Sequence, residues 1–174
     1  MKTRTQSGVA AVELALIIGP MLIMAFGITE LGRALYQYNI VVKASRDAVR
    51  YLAQQDLANL SNAELTVVHD TTKALAVCGK TSCTNAVPLL PELTTAKVSL
   101  CDYTDPVTGN PRKSVLTGQG TVDVVTVLIG DTCDRVAGST RDNTKIVHFF
   151  SLVPFFIPDI NFSPVKTTMA SRYS

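Results

Sequence analysis

The sequence is poor in the residues from which most catalytic sites are built. It has two histidines, His69 and His148, and it lacks a Gly-x-Ser-x-Gly elbow, a phosphate-binding glycine loop and a His-Glu-x-x-His pair. The hydrolase, P-loop and zinc-protease patterns that spacing can reveal are therefore missing. Aromatic residues make up 6% and no basic block is interleaved with them, so nucleic acid is not an expected partner. His69 lies beside the apolar face of a predicted helix and reads as a surface or boundary residue rather than a ligand. Asp102, Asp105, Asp123, Asp131 and Asp134 could in principle gather around calcium, which takes six to eight oxygens. Acidic residues on solvated turns explain them more simply. No metal, no cofactor and no enzymatic activity is expected.

What the sequence has instead is a long apolar run. From Val9 to Thr29 it reads VAAVELALIIGPMLIMAFGIT, with Glu13 the one charged residue. At about 1.5 Å per residue this run covers the roughly 30 Å hydrocarbon core of a bilayer. A carboxylate there costs about 2.5–3.5 kcal/mol by insertion scales at mid-bilayer, and Glu13 lowers that cost by lying near one end, where it can snorkel. A second reading uses its spacing. Glu13 stands five residues after Gly8, as in a type IV-like prepilin signal: cleavage after Gly8 would leave Val9 as the first residue and Glu13 as the fifth. The carboxylate could then pair with the amino terminus of a neighbouring subunit inside an apolar bundle. MKTRTQSG carries Lys2 and Arg4 and no acid, so it is expected to stay cytoplasmic while the chain beyond about Gly32 is exported. An ordinary secretory signal fits less well, because no small-x-small cleavage site follows a shorter apolar region. The whole chain carries a net charge of +2, and without its first eight residues the basic and acidic side chains balance.

Three segments are expected: a leader, 1–8; a membrane-spanning and continuing amphipathic helix, 9–55; and an exported head, 56–174. Leu31, Leu35, Tyr38, Val42, Ala48 and Leu52 recur at near-helical spacing and define the expected buried face of the continuing helix. Glu30 with Arg33, and Arg46 with Arg50, read as a solvated face. Gly19-Pro20 should bend the helix or free backbone groups, because Pro20 has no N–H to donate. Ser61-Asn62-Ala63-Glu64 is a capping-box pattern that starts a second helix with Leu65, Val68, Thr72, Leu75 and Ala76 on one face, and Gly79 stops it. Strands are expected near Lys97–Tyr103, Thr121–Ile129, Lys145–Leu152 and Pro164–Ser171, with turn chemistry over Asp105–Pro111 and a polar loop from Gly130 to Asn143. HFFSLVPFFIP, His148 to Pro158, is the most apolar stretch of the head. Pro154 and Pro158 prevent a continuous central strand there, which leaves core packing, favoured, or a subunit-contact patch.

Cys78, Cys83, Cys101 and Cys133 all follow the apolar run. In an exported domain four cysteines read as two disulfides, whereas Cys-x4-Cys with two scattered partners matches no usual zinc spacing. Three pairings are open. Cys78–Cys83, closing a short turn, and Cys101–Cys133, joining the ends of two predicted strands, are favoured. The fold class is thus α+β: a long N-terminal transmembrane and amphipathic helix, a second helix, and a small antiparallel β-sheet head.

RTQSGVAAVELALIIGPMLIMAFGITELGRALYQYNIVVKASRDAVRYLA resembles the N-terminal region of TadE-like pseudopilins of the tight-adherence (Tad/Flp) pilus system. The matching points are Gly8 and Glu13, Pro20, Phe26-Gly27, Glu30, Gly32-Arg33 and Arg46…Arg50-Tyr51. The aromatic, proline-punctuated late segment and SPVKTTMASR resemble the family more loosely. Asp47-Ala48-Val49 departs from the family's usual Glu-Gly-Ala, and the four-cysteine framework is particular to this chain. The resemblance implies a minor pilin made as a precursor in the bacterial inner membrane, with its head periplasmic. A prepilin peptidase would cut it between Gly8 and Val9, and Glu13 would help neighbouring subunits recognise it. Its partners would be other minor pilins, the major pilin and the inner-membrane assembly platform. The alternative is a permanently anchored extracytoplasmic binding or assembly factor that keeps its first eight residues.

Overall fold

The structure, a computed structural model, describes residues 7–57, 59–101, 113–117, 120–133, 142–152 and 160–172. Helix α1 runs from Ser7 to Ala53 and continues through Gly19-Pro20, so Pro20 costs one backbone hydrogen bond without ending the helix. Among the described residues α1 is the one helix long and apolar enough to cross a membrane. Helix α2, Asn62–Cys78, begins as its sequence dictates. The Ser61 side chain accepts from the Glu64 N–H, and Glu64 Oε2 in turn accepts from the Ser61 N–H at 2.9 Å. Gly79 ends the helix in the left-handed region (φ 65°), a conformation that a Cβ would strain.

The chain divides into two compact units. One holds the described residues of 1–36 and 149–160, and the other those of 37–148 and 161–174. In the second unit a four-stranded antiparallel sheet is built on β3, Gly120–Ile129. Strand β6, Val165–Ala170, pairs with β3 from Val124↔Ala170 to Ile129↔Val165. Strands β1, Val98–Cys101, and β2, Lys113–Thr117, pair with it at Thr126–Ile129 and at Gly120–Val124. Apart from Val125, the residues that pair with β6 also pair with β1 or β2, so β1 and β2 share the opposite edge of β3, end to end. A short 3₁₀ turn, Thr95–Lys97, leads into β1. Strands β4, His148–Phe149, and β5, Ile160–Asn161, form a separate two-stranded ladder.

The core of this second unit combines Val41, Ala44, Ala48, Val49 and Leu52 of α1 with Leu65, Val68 and Ala76 of α2 and with β3. Every residue of β3 from Val125 to Ile129 is buried, as befits a strand covered on both faces. The buried hydroxyls of Ser45 and Thr126 find partners on β6. Ser45 Oγ lies 2.7 Å from Thr167 Oγ1, and the directly opposed Thr126 and Thr168 hydroxyls are also 2.7 Å apart. Ala53 near the end of α1 offers its carbonyl to the Arg172 N–H at 2.9 Å. Tyr38 and Phe162 meet edge to face, 5.7 Å between centroids.

The α+β class, both helices and the strands at β3 and β6 agree with the sequence reading. Several details differ. The expected strand over Lys145–Leu152 shrinks to the two residues of β4, because the backbone beyond Phe149 bonds to side chains of α1 instead of to a strand. Strand β1 ends at Cys101, with Tyr103 outside the described residues. Strands β2 and β5 had no expected counterpart. On α1 the buried stripe runs through Ala34, Val41, Ala44, Ser45 and Ala48, while Leu31 and Leu35 are exposed. Ala48 and Leu52 of the expected face are buried. On α2, Leu75 is only half-buried.

Candidate functional site

The first candidate is the start of α1. Gly8, Val9 and Glu13 are all helical and exposed. Val9 and Glu13 are four residues apart and share one face. A Cβ built on Gly8 meets no described atom within 4 Å, so packing among the described residues does not demand glycine there. Among the described residues Glu13 has no ion-pair partner. The leader residues 1–6 lie outside the described residues. Val12, Leu14, Leu16, Ile17, Met21 and Met24 are all more than half exposed, so the run has apolar side chains facing outward. A water-soluble surface does not carry a patch of this extent.

The second candidate was not legible as such. Glu30 and Arg33 were expected on a solvated face, but Glu30 is only 4% exposed. One nitrogen of the Arg33 guanidinium donates to Glu30 Oε2 at 2.9 Å and also to the Phe150 carbonyl. The Leu152 N–H donates to the same Glu30 oxygen at 3.2 Å. Arg33 lies over the Phe149 ring, 4.4 Å from its centroid, where the ring's negative face attracts the cation. Phe149 is fully buried, yet Phe150 is 50% and Leu152 75% exposed. HFFSLVPFFIP is thus neither plain core nor plain surface in its described part, and Pro154 and Pro158 lie outside the described residues. The signal that could have found this cluster is an acid-base pair placed directly after an apolar span.

Cys78 is joined to Cys83, pinning the last turn of α2 to the chain that follows it. Cys101 is joined to Cys133, tying the end of β1 to the turn after β3. These are the two pairings favoured from the sequence. The Asp131 carbonyl accepts from Ser99 Oγ at 2.9 Å, and its carboxylate accepts from the Thr132 N–H at 2.9 Å. Asp102, Asp105 and Asp134 lie outside the described residues, as does the Asp105–Pro111 turn. No group of three His, Cys, Asp or Glu side chains able to hold a metal occurs among the described residues.

Comparison with protein families matches residues 8–50 to the family described as TadE-like protein. The matched segment is a quarter of the chain and contains both candidate sites on α1, from Gly8 to Arg33. Over this segment the chain is TadE-like, as the sequence reading has it. No curated protein and no solved structure matches the chain.

Proposed function

We propose that this chain is a non-enzymatic minor pilin or pseudopilin of a Tad/Flp-type pilus. It acts in the assembly, initiation or tip formation of a fibre used for adhesion. The match of residues 8–50 to the TadE-like family carries this reading, because it falls on the segment that holds the Gly8/Glu13 signal. A prepilin peptidase on the cytoplasmic side of the inner membrane cuts between Gly8 and Val9. The outward-facing run that starts at Val9 is stored in lipid and later buried against the same run of neighbouring subunits. Glu13, exposed within that run, is then available to the amino terminus of a neighbour. The unfilled space at Gly8 supports an intermolecular need for glycine, such as close approach of its backbone to the peptidase. The partners are other minor pilins, the major pilin, the inner-membrane assembly platform and the peptidase.

One observation favours the second reading, a permanently anchored assembly factor. Helix α1 is continuous through Gly8 and Val9, and a protease needs extended backbone. Under the leading reading the first turn frays to admit the peptidase, which helix ends do readily. The deciding experiment is the intact mass and N-terminal residue of the full chain expressed in membranes with and without a prepilin peptidase. A chain that begins at Val9 only with the peptidase, and keeps Met1 when Gly8→Leu is introduced, is the expected result. A chain that keeps Met1 beside an active peptidase selects the permanent anchor.

A further inference from the structure

We infer that Phe150 and Leu152 anchor this chain in the interfacial layer of the bilayer, at the end of the span far from Val9. The inference rests on the membrane-spanning reading of α1 and adds a second, non-helical contact with lipid. The first observation is an inverted polarity. At this level of the first unit the charged side chain of Glu30 is buried, while Phe150 and Leu152 on the covering segment, and Leu31 and Leu35 on α1, point outward with half or more of their surface exposed. A segment facing water would be arranged the other way round.

The second observation is how the backbone of the segment is satisfied. Lipid offers no partner to a polar backbone group, so non-helical chain at membrane depth must find its partners within the protein. The Phe150 carbonyl has Arg33, and the Leu152 N–H has Glu30. Both partners are side chains of α1, Glu30 buried and Arg33 part-exposed. Arg33 and Glu30 thus bond two backbone groups of the segment, while the side chains at 150 and 152 stay at least half exposed.

The third observation is position. Val9 to Glu30 spans about 32 Å of helix, which is the depth of the hydrocarbon core. Exposed apolar and aromatic surface continues past Glu30 to Tyr36, 68% exposed and about 9 Å further along the axis. A bilayer of about 40–45 Å has interfacial regions of about 5–7 Å on either side of that core, and tyrosine is enriched there. The cluster of Glu30, Arg33, Phe150 and Leu152 therefore falls in the interfacial layer.

The chain contains no tryptophan, so a single one introduced is an unambiguous depth probe. The full chain carrying Phe150→Trp, Leu152→Trp or, as a marker of the span, Leu22→Trp would be reconstituted in phosphatidylcholine/phosphatidylglycerol vesicles. The lipids would be brominated near either the carbonyl or the methyl end of the acyl chains. All three sites are exposed, so the larger ring is accommodated. Leu22→Trp should be quenched most by the deep bromine. Phe150→Trp and Leu152→Trp should lose more than half their emission to the shallow bromine and less to the deep one. Long-wavelength, unquenched emission at 150 and 152 beside a quenched residue 22 overturns the anchor and leaves the span standing. Short-wavelength emission without quenching at 150 and 152 means that a neighbouring copy covers the patch, which also overturns it. An unquenched residue 22 removes the span itself, and the anchor with it.

Discussion

Arg33 makes three contacts with one guanidinium: the Glu30 carboxylate, the Phe150 carbonyl and the face of Phe149. A planar fork can do this, whereas the point charge of a lysine cannot stack and hydrogen-bond in the same pose. Arg33→Lys should therefore keep the charge and lose the arrangement. Hydrogen exchange is expected to speed up at the Leu152 amide and to stay unchanged in β3. Equal protection of Leu152 in both proteins would show that Glu30 holds the segment unaided. At the start of α2 the Glu64 carboxyl is held below its ordinary value near 4.5, first by the Ser61 hydroxyl and then by the Ser61 N–H. A depressed carboxyl stabilises the fold above its unfolded value and loses that contribution as pH falls through the folded one. Ser61→Ala should cost about 1 kcal/mol at neutral pH. Its deficit relative to the parent should shrink on acidification below about 4.5, measured by urea unfolding across a pH series. A deficit constant with pH would separate the cap from the Glu64 titration.

The elements differ in how openly their sequences announce them. Helix α2 carries its start and stop in adjacent residues, Ser61 with Glu64 and then Gly79, and was legible to its ends. Strand β3 was legible because VDVVTVLI is rich in β-branched residues. Strand β5 was not, since two residues leave no period to read, and β4 was expected too long because the segment beyond Phe149 is shaped by side chains more than a hundred positions away. The buried setting of Glu30 was hidden for the same reason, while Gly8 and Glu13 stood out because their spacing is local. The two disulfides close loops of unequal length, with sequence separations of 5 and 32. On loop entropy alone, removing Cys78–Cys83 should cost about 2 kcal/mol and removing Cys101–Cys133 about 4 kcal/mol. Paired Cys→Ser variants of the full chain in detergent, unfolded by denaturant, would test that ranking. The end of α1 is a third support. Leu52 is fully buried in the second unit, and Leu52→Ala should cost about 2–5 kcal/mol in the same assay.

For the molecule as a whole, the recognisable family segment and the sheet-bearing part of the chain contribute differently. Residues 8–50 match the TadE-like family, whereas the sheet, α2 and both disulfides follow that segment. The family match is thus confined to the long apolar helix, and the later residues lie outside it. Removal of residues 165–174 should leave the family segment intact but strip β3 of a neighbour along Val124–Ile129. The expected result is a chain that still reaches the membrane but is cut readily by protease within the sheet. Protection equal to the parent would show that β6 is dispensable. The same pairing sets a timetable for biogenesis. A polypeptide emerges from its amino end, and β3 is made some forty residues before β6 is complete. Throughout that interval the strand that becomes the middle of the sheet has a bare edge, the kind that recruits stray strands from other chains. Only once β6 is made can it be fastened to the first helix, through Thr167 to Ser45 and through Arg172 to Ala53. A chain interrupted before β6 would therefore be a sticky intermediate, and a chaperone that shields β3 would matter most until β6 is in place.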